Sequence, residues 1–169
     1  MVVITDASPV ILLGKLDSLN LITDYLGNEI LLPRAVYDEI FGSGLTPGEE
    51  HLLLKFVSLC KVEKVRRPRT FSAGLSDADN AALTLAVRRM PSKLLSDDLL
   101  LRIVARLEGV NCIGTLGLIQ ESCKSRLLSK NEAKKLVDEL LDKHKLRISI
   151  KLYREVIAAL DSVDAPEIG

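Results

Sequence analysis

Val2-Val3-Ile4-Thr5-Asp6-Ala7-Ser8-Pro9 joins a run of apolar residues to a carboxylate, a hydroxyl and a proline. The three consecutive β-branched residues Val2 to Ile4 are typical of a parallel strand that is buried on both faces. Ser8 has the side chain of a helix N-cap and Pro9 suits the first helical position, so we expect a helix to begin at Pro9. Asp6 then lies at the carboxyl end of a central strand, where open α/β sheets bind their ligands.

Strands and helices are predicted to alternate along the rest of the chain. Helical patterns separate four further apolar runs, which predict strands at residues 29–32, 60–65, 93–96 and 110–113. A hydroxyl followed three residues later by an acid predicts helix starts at Thr46, Ser76 and Ser129. This alternation is typical of a parallel sheet with helices on both faces. We therefore predict one α/β domain over residues 1–160 and a short acidic tail at 161–169.

The composition narrows the class of protein. The 169 residues fit one domain with a hydrophobic core, and the chain has neither an apolar run long enough to cross a bilayer nor the pattern of a signal peptide. Its three scattered cysteines predict reduced thiols and a cytoplasmic protein. A net charge of zero gives no overall signature of nucleic-acid binding, and 4% aromatic residues argue against a base-stacking surface.

Acidic side chains collect where the predicted strands end and the following helices begin. The set follows the first and fourth strands, lies on the helix after the second strand, and begins the helix at Ser76: Asp6, Glu39, Asp77, Asp79, Asp97 and Asp98. Carboxylates that lie close together without a basic partner repel one another, which raises their pKa values. A bound divalent cation offsets this repulsion. Hard oxygen ligands without histidine or cysteine suit magnesium or manganese.

Most of these acids also have a purely structural interpretation. Asp79 stands three residues after Ser76 and completes a capping box, and Asp77 complements the same helix dipole. Asp97 or Asp98 would cap the helix that follows the fourth strand, and Glu39 would lie at the solvated edge of an amphipathic helix. Asp6 is the acid for which function is favoured, because Ser8 already supplies a cap. A functional site is favoured because the acids follow the predicted strands and begin the predicted helices in a regular order.

This order of motifs resembles the PIN-domain proteins, a family of metal-dependent nucleases that includes the VapC toxins of prokaryotic toxin–antitoxin pairs. The similarity covers nearly the whole chain and includes Arg102 and the segment from Gly114 to Leu118. The segments that carry it are Ile4-Thr5-Asp6-Ala7-Ser8-Pro9, Leu32-Pro33-Arg34-Ala35-Val36-Tyr37-Asp38-Glu39-Ile40, Leu75-Ser76-Asp77-Ala78-Asp79-Asn80 with its continuation to Ala86, and Leu94-Leu95-Ser96-Asp97-Asp98.

The resemblance implies a three-layer α/β/α sandwich with a central parallel sheet and an acidic pocket at the strand carboxyl ends. It implies four catalytic acids, Asp6, Glu39, Asp79 and Asp97, with Asp77 a weaker candidate for the third. Either Asp97 or Asp98 could be the fourth acid. The spacing to Arg102 favours Asp97, whereas the position two residues after Ser96 favours Asp98. The implied ligands of magnesium or manganese are Asp6, Asp79, Asp97 and Asp98, and the hydroxyls expected beside them belong to Ser8, Ser96 and Thr115.

By the same resemblance we expect an endoribonuclease that hydrolyses single-stranded RNA as the toxin of a toxin–antitoxin pair. A homodimer and an antitoxin protein are the expected partners, with no membrane association. The apolar stripe of Leu136, Val137, Leu140 and Leu141 would contact such a partner, although core packing is the favoured interpretation. A basic segment would hold backbone phosphates or else form a solvated loop: Lys61, Lys64, Arg66, Arg67 and Arg69.

Two alternatives compete with the nuclease. A catalytically inactive PIN-like module would keep the fold and bind nucleic acid or protein. A phosphate-handling protein of the response-regulator kind would need an acceptor aspartate after the third strand and a lysine after the fifth. The chain has Val65-Arg66-Arg67 and Ile113-Gly114-Thr115 at these places, so the second alternative fits poorly.

Overall fold

The computed structural model describes residues 1–27, 29–144 and 146–163. Within them five strands and nine helices alternate. Their bounds are β1 (Val2–Thr5), α1 (Ala7–Lys15), α2 (Asn20–Leu26), β2 (Ile30–Pro33), α3 (Arg34–Phe41), α4 (Pro47–Val57), β3 (Lys61–Glu63), α5 (Asp77–Arg88), β4 (Ser92–Leu95), α6 (Leu99–Leu107), β5 (Asn111–Ile113), α7 (Thr115–Lys124), α8 (Lys130–Asp142) and α9 (Ile150–Asp161).

The strands form one parallel sheet in the order β3-β2-β1-β4-β5, which confirms the predicted parallel sheet. Val3, Ile4 and Thr5 are all fully buried. Because successive side chains of a strand point to opposite faces, this burial shows that the sheet is covered on both sides. The fold is therefore a three-layer α/β/α sandwich, as expected.

The sheet has its topological switch point between β1 and β4. β2 and β3 lie on one side of β1, and β4 and β5 lie on the other side. Thr5 is paired with Leu95, and the Asp6 amide donates to the Leu95 carbonyl at 2.9 Å. The residues after these strands, Asp6 and Ser96, are therefore neighbours in the crevice where open α/β sheets bind ligands.

The predicted capping boxes at Thr46, Ser76 and Ser129 are confirmed. The cap predicted for the first helix is wrong. Asp6, not Ser8, is the N-cap: its side chain accepts the Ala7 amide and α1 begins at Ala7, while Ser8 is exposed in the first turn. The carboxylate takes this role because it already stands at the strand end, one residue before helical backbone.

Other expectations differ from the structure only in detail. The third strand, Lys61–Glu63, is shorter than the predicted residues 60–65. The apolar stripe of α8 is core, as the favoured interpretation had it, since Val137 and Leu140 are fully buried and Leu136 and Leu141 pack against the core. Its burial therefore needs no partner. The boundary at residue 160 stays a prediction, and most of the predicted tail, residues 164–169, lies outside the described residues. No helix in the described part of the chain is long and apolar enough to span a membrane.

Candidate functional site

Asp6 lies at the centre of the site, at the junction of β1 and α1. Its side chain is 5% exposed. One oxygen, Oδ1, accepts the Ala7 amide at 2.7 Å, and the other, Oδ2, accepts the Ser96 hydroxyl at 2.9 Å. The strand end fixes the backbone and the two hydrogen bonds fix the side chain, so the carboxylate is held in one orientation.

Burial governs the ionisation of Asp6. It is the largest cause that raises the pKa of Asp6, which lies at about 7 instead of the ordinary 3.8. The nearby negative charges of Asp79 and Glu39 also act to raise this pKa, while the hydrogen bonds from Ala7 and Ser96 act to lower it. A carboxyl group in this environment gains from any cation brought close to it.

Glu39 and Asp79 lie near Asp6 on two helices, α3 and α5, that pack against each other. Partial desolvation raises the pKa of Glu39, and the charge of Asp79 raises it further. Val36 and Ile40 are buried on the same helix as Glu39, so this side chain lies at the border of the apolar face, as predicted. The structure therefore brings together three of the four predicted acids, Asp6, Glu39 and Asp79, as an electrostatically coupled group.

Asp79 completes the predicted capping box and also acts electrostatically on Asp6. Its Oδ2 accepts the Ser76 amide at 2.8 Å, and its own amide donates to the Ser76 hydroxyl at 3.1 Å. This capping box fixes the first turn of α5 and turns the Asp79 side chain toward that end of the helix. Asp77 is exposed at the start of the same helix and is absent from the charges that act on Asp6.

Asp97 and Asp98 have different environments. Asp97 is half-buried and accepts two hydrogen bonds from Thr115, one from the backbone amide at 2.7 Å and one from the hydroxyl. Asp98 is exposed and caps α6, because its Oδ1 accepts the Leu101 amide at 2.6 Å. Thr115 therefore holds Asp97, and Asp98 has the structural role of capping α6. Like Asp77, neither is among the charges that act on Asp6.

Two polar residues of α5 to which the sequence analysis assigns no role hold the loop before the helix. Asn80 is buried; its Oδ1 accepts the Phe71 amide at 2.9 Å and its Nδ2 donates to the Leu75 and Ser76 carbonyls. The Thr84 hydroxyl accepts the Arg69 amide at 2.8 Å. The signal in the sequence was a polar residue every fourth position on an otherwise alanine-rich helix.

The basic segment lies apart from the acids. The Arg88 guanidinium donates to the carbonyls of Arg66 and Arg67 at 3.0 Å each. Arg88 is nine residues beyond Asp79 on α5, about 13 Å along the helix axis. The Arg69 guanidinium forms a bidentate pair with Glu108 at 3.0 Å, so it is already engaged. Lys61, Lys64, Arg66 and Arg67 are exposed, and phosphate binding by this segment stays a prediction.

Within residues 1–27, 29–144 and 146–163, no three histidine, cysteine, aspartate or glutamate side chains form a ready-made metal cage. The donor set still fits magnesium, since this ion binds through one or two carboxylates and keeps several waters. Asp6 provides the reason for such binding, because desolvation and its acidic neighbours disfavour its charged form in the absence of a cation.

A family model, DUF3368, described as a PIN domain, matches residues 2–162. The chain belongs to the PIN-domain family. Comparisons with curated proteins and with solved structures gave no significant match. The PIN fold is of nuclease type, implies nucleic-acid binding and typically uses divalent metals. In this PIN domain the coupled acids lie at the switch point between β1 and β4.

Proposed function

We propose that this PIN domain is a magnesium- or manganese-dependent endoribonuclease that hydrolyses single-stranded RNA, and that it acts as the VapC-like toxin of a toxin–antitoxin pair. The observation that carries the proposal is the buried Asp6 carboxylate at the switch point, with Glu39 and Asp79 close enough to raise its pKa. Such a concentration of negative charge costs free energy and is typical of a site that binds a cation.

Each acid has a distinct role in this proposal. Asp6, Asp79 and Asp97 would hold the metal, with Asp98 a weaker candidate because it caps α6. When bound, the metal lowers the pKa of a water and offsets the charge of the phosphodiester. Glu39, with its raised pKa and exposed carboxyl, would orient the attacking water and accept its proton.

Hydroxyl and amide groups would fix these acids before substrate binds. Ser96 holds Asp6, and the amide and hydroxyl of Thr115 hold Asp97. Preorganised ligands lose little conformational freedom when a metal or phosphate binds, which favours both binding and catalysis. Ser8, exposed in the first turn of α1, would face the incoming substrate.

We also propose that the protein is a cytoplasmic homodimer and is held inactive by an antitoxin protein. Support for the dimer comes from an apolar stripe on α6, where Leu99 is 69%, Ile103 46% and Leu107 83% exposed. These residues are four apart and therefore share one helix face. An exposed stripe of this kind is typical of a surface covered by another protein chain.

The test of the nuclease is cleavage of a mixed pool of end-labelled single-stranded RNAs by the purified protein. It is run with magnesium, with manganese and with a chelator, beside Asp6→Asn, Glu39→Gln and the control Asp38→Asn. Asp38 is exposed next to Glu39 and forms a surface pair with Arg34 at 2.9 Å. We expect cleavage that the chelator and the first two variants abolish and that Asp38→Asn retains.

The competing hypothesis is an inactive PIN-like module that binds nucleic acid or protein without cutting. It predicts RNA binding that is the same with and without divalent metal, and no cleavage by any variant. The thermal midpoint provides a second measurement that needs no RNA. Magnesium should raise the midpoint of the original protein and leave that of Asp6→Asn unchanged, because a ligand stabilises only a state that binds it.

A further inference from the structure

A cleft of about 750 Å³ opens beside Asp97. It lies between α6, the start of α7 and the segment that leads into α9. Its volume is typical of ligand pockets, which measure about 300–1,000 Å³. Because Asp97 is one of its lining residues, the cleft is continuous with the proposed active site.

Three cations line this cleft: Lys93, Arg102 and Arg147. Two acids face it as well. The carboxylate of Asp97 is bound by Thr115, and that of Glu121 accepts hydrogen bonds from Lys124 at 2.7 Å and from the Tyr25 hydroxyl at 3.3 Å. None of the three cations takes part in an ion pair with a described residue. The cleft therefore has an excess of unpaired positive charge.

Arg102 is the most informative of these cations. Its Nε is buried and has no hydrogen-bond partner among the described residues. Its Nη1 lies 3.4 Å from the position that a Cβ on Gly114 would occupy, and Asp97 Oδ1 lies 2.9 Å from the same point. The guanidinium is thus held close to Asp97 without pairing with it. A buried donor without an acceptor is unfavourable, and an anion bound to the rest of the guanidinium would offset part of that cost.

Part of the lining of the cleft is an apolar wall that includes Leu116, Leu152 and Val156. A ligand that fits both the cations and this wall combines a negative group with a flat or weakly polar body. A nucleotide has this combination, since its phosphate binds a guanidinium and its sugar and base contact apolar side chains.

We propose that this cleft binds the nucleotide next to the scissile phosphodiester of single-stranded RNA. Arg102, assisted by Lys93 and Arg147, contacts its phosphate, and the nucleoside lies on the apolar wall. The proposal rests on the proposed nuclease function, because a strand whose phosphodiester reaches Asp6 and Asp97 continues directly into the cleft. Arg102 is then a substrate-binding residue that fixes the position of the strand.

The test measures binding in the absence of cleavage. A short fluorescein-labelled single-stranded RNA is titrated with protein in chelator, and anisotropy is followed between about 50 and 200 mM salt. We expect Arg102→Gln to weaken binding about tenfold at the lower salt concentration and to reduce the slope of log affinity against log salt by about 0.7, the change for one lost phosphate contact on a single strand. Arg147→Gln should produce a smaller loss in the same direction.

Arg106→Gln is the matched control, because Arg106 lies one turn beyond Arg102 on α6, is exposed and does not line the cleft. Equal affinity of the original protein and both cleft variants would overturn the proposal, as would an equal loss in Arg106→Gln. If Arg102→Gln does not fold, the RNA affinity of Arg147→Gln, at an exposed position, tests the proposal instead. Displacement of the RNA by a polyglutamate peptide at similar concentration would assign the cleft to a protein ligand instead.

The outcome is separable from that of the nuclease test. Metal-dependent cleavage can fail while RNA binding in chelator still depends on Arg102, in which case the cleft proposal stands and the catalytic one falls. If Asp6→Asn abolishes cleavage but Arg102→Gln binds RNA as well as the original protein, the catalytic proposal stands and the cleft proposal falls.

Discussion

The Ser96 hydroxyl donates to Asp6 Oδ2 at 2.9 Å, although 90 residues separate the two in the chain. The same hydroxyl oxygen accepts the Asp98 amide at 3.1 Å, so its hydrogen is free to point at Asp6. This contact joins the ends of β1 and β4 and fixes one oxygen of the central acid. It also lowers the pKa of Asp6 against the effect of burial.

Ser96→Ala should impair activity without unfolding the protein. Loss of the hydroxyl removes a bond that stabilises the charged carboxylate, so the pKa of Asp6 should rise and the acidic limb of the pH–rate profile should move to higher pH. We expect a loss of roughly ten- to hundredfold in kcat/KM near neutral pH, on the scale of about 1.5–3 kcal/mol for a hydrogen bond to a charged group.

Ser92→Ala is the control for this variant, since Ser92 is buried at the other end of β4 and donates to the Ala86 carbonyl at 2.8 Å. It should reduce stability and leave the pH–rate profile in place. An equal shift of the profile in both variants would contradict a specific effect of Ser96 on Asp6.

Asp6→Asn should stabilise the protein above neutral pH. The pKa of Asp6 in the fold, about 7, lies above its ordinary 3.8. Between these values the unfolded chain ionises while the folded chain retains the proton, so the stability of the original protein falls as pH rises from about 4 to 7 and then stays low. Asparagine carries no charge and still caps α1, so it avoids this loss.

The stability difference is measured by urea unfolding of both proteins in chelator. At pH 8 we expect Asp6→Asn to be more stable by on the order of 3 kcal/mol. The difference should shrink as the pH is lowered and vanish near pH 4. A constant difference across this range would show that burial of the charge is not its cause.

Gly114→Ala should disturb Asp97 through steric contact. A Cβ at Gly114 would lie 2.9 Å from Asp97 Oδ1, closer than such atoms normally approach. The carboxylate must move, and its bonds to Thr115 weaken. We expect a loss of nuclease activity of about tenfold or more, since displacement of a positioned group by about 1 Å has such effects.

A matched glycine is available in Gly48, in the first turn of α4, where an added Cβ meets nothing within 4 Å. Gly48→Ala should leave activity unchanged. Thr115→Val, which removes only the hydroxyl bond to Asp97, should lose less activity than Gly114→Ala because the amide bond remains.

Leu107→Asp tests the proposed dimer surface on α6. Leu107 is 83% exposed, so a charge there costs little in the isolated chain but is unfavourable in an apolar interface. Light scattering should give the mass of a dimer for the original protein and of a monomer for the variant. Leu127→Asp, at a 44% exposed position away from α6, should remain dimeric. A monomeric original protein would refute the homodimer.

The sequence by itself determined the order of the strands and helices and the residues that begin most helices. It did so because these features depend on local patterns: β-branched runs for β1 and capping boxes at Thr46, Ser76 and Ser129. It also predicted that Asp6, Glu39 and Asp79 lie near one another, and the structure places these three within electrostatic reach.

The tertiary structure decided what each acid does there. Asp97 faces Thr115 and Asp98 caps α6. The sequence could not distinguish them, because they are adjacent and have the same side chain. The path of the chain from β4 into α6 decides between them. The partner of Asp6, the engagement of Arg69 by Glu108 and the unpaired Arg102 all depend on contacts between residues that are distant in the chain. Local pattern predicts where a helix begins, but the charge and burial of a group depend on the whole fold around it.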